Sequence, residues 1–176
     1  GYFNDIRGDW NYEDYFFDEL MPYVENKYRI KSNKRFRAVA GLSMGGGGSF
    51  MYALHRPDLF SAACPLSAYI GPKSIDEVKS FAKRYNNFEV TEKAAEAYFP
   101  KHNALSLIES MTKQQIESVR WFIDCGDDDF LYQVLIQNQL DLRKITSHMK
   151  LLEFELAKFK SQAKLQKLIM TYVNLR

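Results

Sequence analysis

The chain has 176 residues, enough for one domain with a real hydrophobic core. Its hydrophobic and aromatic fractions, 46% and 15%, fit a soluble globular protein, and a net charge of +2 gives no reason to expect nucleic acid or another polyanion as partner. No stretch approaches the ~20 apolar residues of a membrane span, and the opening residues lack a signal-peptide pattern.

In chain order, Asn11-Tyr12-Glu13-Asp14 predicts a helix start, with Asn11 as N-cap and acids in the first turn. Phe16, Leu20, Val24 and Tyr28 follow at helical spacing and predict one buried stripe. Phe36 to Ala40 reads as a short buried strand. After Gly41-Leu42-Ser43-Met44-Gly45, the run to Arg56 reads as a helix that Pro57 stops. Phe60 to Ser67 predicts a second buried strand, ended or bulged by Pro65. Residues 71–117 look like a helical insertion, with capping boxes at Ser74–Glu77 and Thr112–Gln115 and a further N-cap at Thr91. Val119 to Cys125 is the third predicted strand, and Gly126-Asp127-Asp128-Asp129 ends it. Strands separated by helices imply an α/β fold, a parallel sheet with helices on its faces. Cys64 and Cys125 fall in apolar runs and read as buried free thiols, which leaves the redox compartment open. Cytoplasmic and secreted locations both remain compatible with the sequence.

Residues 143–176 form a separate basic tail with eight Lys/Arg against two acids, or +6, whereas the rest of the chain carries −4. Leu152, Leu156, Phe159, Ala163 and Val173 among its lysines suggest an amphipathic helix with a solvated face. The expected organisation is therefore a core over 1–142 and this tail.

The five residues Gly41 to Gly45 match G-x-S-x-G between a strand and a helix, the context that makes a nucleophile elbow. A serine at such a tip takes a strained backbone conformation held by its surroundings. The turn lifts the Ser43 hydroxyl clear of the sheet and aims the Met44 N–H, at the helix N-terminus, toward a developing oxyanion. Side chains on Gly41 or Gly45 are expected to collide with neighbouring backbone. Gly46, Gly47 and Gly48 are not required by the turn. Four glycines in a row weaken a helix start by roughly 1 kcal/mol each, so close packing or close substrate approach must favour them. An ordinary serine in a glycine-rich turn is the competing reading.

A parallel sheet presents functional groups at the carboxyl ends of its strands. Ser43 follows one such end and the 127–129 aspartates another, which suits a nucleophile and the carboxylate that orients its histidine. A merely solvated acidic turn is the alternative. The histidines are His55, His102 and His148. His55 ends the elbow helix, where a cation favours the dipole. His102 precedes the acid in sequence. His148 alone satisfies the order Ser…Asp…His, on sequence order and nothing more.

Tyr2 to Trp10, Ala40 to Gly46, His55 to Phe60 and Asp124 to Leu131 together resemble the esterase D-like branch of the α/β-hydrolases, which groups acetyl and feruloyl esterases with related enzymes. The resemblance covers about residues 1–135. It implies Ser43 as nucleophile, Asp129 as triad acid and Met44 N–H as half of the oxyanion hole. Members of that branch have further strands before the region matched here, one of whose loops gives the second oxyanion donor. They also have a Gly-Gly-His-type loop after the last strand, and the tail does not match it. A frameshift near residue 134 would account for where the match stops, since codons for Lys144–Met149 can encode Asn-Asn-Ile-Pro-His in another frame. The fold implied is thus a partial α/β-hydrolase.

The expected activity is a serine esterase cleaving acetyl, feruloyl or small acyl esters, on carbohydrate or free, through an acyl-enzyme. No metal or organic cofactor is needed. Trp10 and Tyr12 are candidates to line an aromatic acyl pocket, with core packing as the plainer role. An acyltransferase on the same scaffold and an inert chain lacking its histidine are the rival expectations.

Overall fold

A computed structural model describes residues 1–125. The 127–129 aspartates, His148 and the basic tail lie outside the described residues.

The first helical run joins α1 (Tyr12–Asp14), a π-helical stretch (Tyr15–Leu20) and α2 (Met21–Lys27). Its N-terminus is capped from a distance. Asn11 makes no side-chain cap; instead Asn4 Oδ1 accepts from the N–H groups of Glu13 (3.0 Å) and Asp14 (3.2 Å). A bridge between Asn4 and Asn11 closes the intervening loop and brings that carbonyl into place. The predicted stripe is corrected as well. Phe17 is buried, while Leu20 and Tyr28 are 36% and 57% exposed. The i→i+5 bonding of the π-helical stretch shifts the facing residues, so the 3.6-residue repeat picks the half-buried Phe16 and Val24 but misses Phe17.

Strands β1 (Ala38–Leu42), β2 (Ala62–Leu66) and β3 (Arg120–Trp121) form a parallel sheet in the order β1-β2-β3. β1 starts two residues later than expected because Lys34–Phe36 form a 3-10 turn. It is not buried: its residues alternate between exposed and half-buried, as an edge strand does when one side is unpaired among the described residues. Pro65 neither ends nor bulges β2, which pairs with β1 through Leu66. It acts on the other side. Ser61, Ala63 and Pro65 turn their carbonyls to Arg120, Phe122 and Asp124, but Pro65 has no N–H to return. Regular β2–β3 pairing therefore covers only Ala62–Arg120 and Ala63–Trp121, with an isolated bridge at Leu66–Asp124.

Helix α3 (Met44–His55) packs across β1 and β2, and Gly46 to Leu54 are all buried. Phe50, Met51 and Trp121 lie at the centre of the core; the indole of Trp121 meets Phe50 edge-on at 5.4 Å and donates its N–H to Ile116 O (3.0 Å). Between β2 and β3 come α4 (Ile75–Asn86), α5 (Glu92–His102), α6 (Ala104–Ser110) and α7 (Lys113–Glu117). Thr91 caps α5, and Thr112 with Gln115 forms the full reciprocal box on α7. At α4 the box is half made. Ser74 accepts from Glu77 N–H, but the Glu77 carboxylate turns to the Lys73 N–H instead (2.5 Å). Among the described residues no helix is long and apolar enough to cross a membrane.

Candidate active site

Ser43 is the single residue between β1 and α3, and its φ of 56° with ψ of −115° is a conformation that side chains strongly avoid. Two backbone bonds hold it there. Its N–H donates to Leu66 O on β2 (2.9 Å), and its carbonyl accepts from Gly47 N–H inside α3 (3.0 Å). The residue is exposed, and so are its neighbours Leu42 (51%) and Met44 (63%). Met44 is the first residue of α3, so its N–H has no partner four residues back.

The glycines divide differently from expectation. A Cβ on Gly41 would stand 2.2 Å from Gly45 O, so the tight bend does exclude a side chain there. A Cβ on Gly45 would meet nothing nearer than Tyr2 Oη at 3.9 Å, so the anticipated collision does not occur at that position. The three glycines that the turn does not require are closely packed, as one of the two expectations for them had it. Cβ atoms on Gly46 and Gly47 would come within 2.3 Å of Leu66 O and 2.6 Å of Tyr69 O, and one on Gly48 within 2.7 Å of Tyr2 Cδ2. They let the start of α3 lie directly on the chain leaving β2 and under the Tyr2 ring.

Three strand ends meet beside Ser43. Leu66 O receives the Ser43 N–H, Ser67 donates its N–H to Asp124 O (2.8 Å), and Asp124 bridges back to Leu66. Ser67 also has positive φ, 43°. Burial pushes the Asp124 carboxyl above the ordinary carboxylate range, with the Cys125 N–H pulling partly back. At ~4.8 Å per strand, the end of β3 stands about 10 Å across the rim from the end of β1. Neither Ser67, Asp124 nor Tyr2 was singled out from the sequence. The run of four glycines was the available signal for Tyr2, since it implies something large lying against the helix.

The two described histidines belong elsewhere. His55 ends α3, twelve residues and so about 18 Å from Ser43. Its Nδ1 lies 2.5 Å from Glu13 Oε1 and its Nε2 2.7 Å from Lys101 O. Both partners are acceptors, so both ring nitrogens donate and the ring is an imidazolium. Burial is the largest single influence and works against that charge, but the hydrogen bond to Glu13, the charge of Glu13 and the bond to Lys101 O together outweigh it and the pKa is raised. The dipole reading of His55 thus holds only in part, because a carboxylate and a carbonyl fix the cation directly. His102 is buried, stacks on Tyr98 at 3.6 Å and donates Nδ1–H to Tyr98 O (2.9 Å). Burial lowers its pKa. Among the described residues no group of three or more His, Cys, Asp or Glu could hold a metal ion.

The Esterase family model matches residues 5–164, continuing 29 residues past the stretch on which the resemblance was read. An esterase of Mycobacterium tuberculosis (strain H37Rv) is 37% identical over 68 residues, which is 39% of this chain and 14% of that protein. An endo-1,4-beta-xylanase/feruloyl esterase of Xylanibacter ruminicola is 41% identical over 49 residues, 28% of this chain and 7% of that protein. Among solved structures, a ferulic acid esterase superposes with a TM-score of 0.60 at 33% identity, covering 82% of this chain and 52% of its own. A fluorophosphonate-binding serine hydrolase of Staphylococcus aureus superposes with a TM-score of 0.58 over 93% of this chain and 64% of its own; at 22% identity it speaks for the fold alone. The chain thus spans about half the length of the ferulic acid esterase and a small part of the curated relatives. Its parallel sheet flanked by helices is the corresponding part of an α/β-hydrolase fold.

Proposed function

Because this chain belongs to the Esterase family, we propose that it cleaves carboxylic esters by nucleophilic catalysis at Ser43. The observation that carries this reading is the backbone of Ser43 itself: positive φ on an exposed, non-glycine residue, pinned between a strand end and a helix start. Strain of that kind costs of order 1–3 kcal/mol and persists where the surroundings enforce it, most often at functional sites.

In this reading the Ser43 hydroxyl attacks the ester carbonyl, forming a tetrahedral intermediate whose oxygen takes the Met44 N–H. Gly41 permits the bend, and the Gly45 position leaves the space beside the hydroxyl open. A histidine accepts the serine proton and returns it to the leaving alcohol; Asp129, on the segment that follows β3, holds that histidine in the productive tautomer. His55 and His102 are engaged at the far end of α3. His148 has only its place in the order Ser…Asp…His to support it as that base. Water then releases the acyl group. The similarity to a ferulic acid esterase and to an endo-1,4-beta-xylanase/feruloyl esterase supports feruloyl esters, on carbohydrate or free, as the substrate class. The chemistry asks for no metal or organic cofactor.

A fluorophosphonate probe tests the reading directly. The protein is expected to label covalently at Ser43, and Ser43→Ala protein is expected not to. Equal labelling of the two, or none in folded protein, removes the activated nucleophile. Product analysis with and without an acceptor alcohol then separates hydrolysis from acyl transfer.

A further inference from the structure

We propose that Tyr2 is a substrate-positioning residue, its phenol forming the wall beside Ser43 against which the acyl group of the ester lies; this rests on Ser43 being the nucleophile. The ring lies along the first turn of α3. A Cβ on Gly48 would approach its Cδ2 and Cγ to 2.7 and 2.8 Å, and one on Gly45 would stand 3.9 Å from its Oη. The ring therefore runs from Gly48 toward Gly45, with the hydroxyl at the Ser43 end of the helix.

The anchorage is on the opposite side. Tyr2 O accepts the Tyr52 hydroxyl proton (2.7 Å), and the two rings meet edge-on at 6.5 Å. Those contacts fix the ring without covering it, since Tyr2 stays 40% exposed. Its own hydroxyl bonds to none of the described residues, whereas Tyr52 and Tyr98 both spend theirs on backbone carbonyls. A tyrosine that only filled space would bury its ring and engage its hydroxyl. Glycine at 48 is what admits this ring, and in a helix a glycine costs roughly 1 kcal/mol against alanine. With Leu42 and Met44 exposed on either side of Ser43, the rim offers two apolar flanks and one aromatic wall tipped by a hydroxyl. That surface suits an aromatic acyl group bearing polar ring substituents.

The test measures binding without turnover. Ser43→Ala protein is titrated calorimetrically with methyl ferulate, then compared with the same protein carrying Tyr2→Phe or Tyr2→Ala. Tyr2→Ala should weaken binding about tenfold through loss of the ring contact, and Tyr2→Phe about threefold, with the thermal midpoint of Tyr2→Phe unchanged. A folded Tyr2→Phe protein with undiminished affinity, or no binding by Ser43→Ala protein, overturns the proposal. If Tyr2→Ala fails to fold, Tyr2→Phe decides alone. Fluorophosphonate labelling of the unmodified protein reports on Ser43 separately, so labelled protein with unaltered ferulate affinity sinks the Tyr2 assignment and leaves the nucleophile standing.

Discussion

Helix α3 has Ser43 just before its first residue and His55 as its last, and the two ends are built in opposite ways. At the N-terminal end the side chains are pared to glycine, the backbone is strained and the hydroxyl faces solvent. At the C-terminal end a cationic ring is tied on both nitrogens, to Glu13 on α1 and to Lys101 on α5. One end is kept clear; the other holds three parts of the chain together. The contrast teaches that a strained residue can be exposed because the element behind it is held rigidly, both in the core and at its far end.

The sharpest way to break the comparison is at the open end. Ser43→Ala should abolish probe labelling and lower any ester turnover by about 10⁴-fold or more, while the thermal midpoint stays nearly the same, since alanine keeps the Cβ that strains this backbone. Next come the glycines, where adjacent positions should behave oppositely. Gly46→Ala places a Cβ against the backbone of Leu66 and Ala68, which cannot move aside, and should cost about 3 kcal/mol in chemical denaturation. Gly45→Ala meets no backbone and should leave stability unchanged or raise it by about 1 kcal/mol. The reverse order would mean that α3 does not lie on the end of β2 as described.

At the anchored end, Glu13→Gln removes the carboxylate under the His55 ring and should cost about 2 kcal/mol at pH 6, as expected for a hydrogen bond between charged groups. The pH dependence gives this its sign. The folded pKa of His55 is raised, so its contribution is fully present below the unfolded value of about 6.5 and is lost as pH rises through the folded value. His102 runs the other way: its folded pKa is lowered, so its contribution is present above about 6.5 and fades as pH falls. Denaturation midpoints measured from pH 5 to 9 should therefore show the gap between wild type and Glu13→Gln closing on the alkaline side. A gap that widens there contradicts the imidazolium. The smallest effect belongs to a cap remote from both ends: Thr112→Ala should cost about 1 kcal/mol.

Much of the architecture was legible because it is written in local chemistry. The parallel sheet followed from apolar runs separated by helical ones, and Thr91 and Thr112 cap where their side chains predict. What the sequence concealed depends on residues far apart in the chain. Asn4 caps a helix that Asn11 was expected to cap, because a loop closure brings it there. The π-helical stretch moved the buried face to Phe17, and no residue type announces such a shift. At the site, the bend at Ser43 and the need for Gly41 could be read from G-x-S-x-G. Close packing at Gly46 to Gly48 could be expected as well, but not the partners Leu66, Tyr69 and Tyr2, since those depend on which segment crosses the helix.

Pro65 has a mechanical consequence for the rim. β2 is stitched to β1 over five consecutive residue pairs, but to β3 over two pairs and one later bridge. The imide of Pro65 in the middle strand leaves the β2 side of that seam one N–H short. Beyond that gap the chain is gripped again through Asp124, which gives its carbonyl to Ser67 and takes that of Pro65. The end of β3 is thus clasped to the end of β2 through Asp124 at the lip of the sheet, in place of a continuous seam.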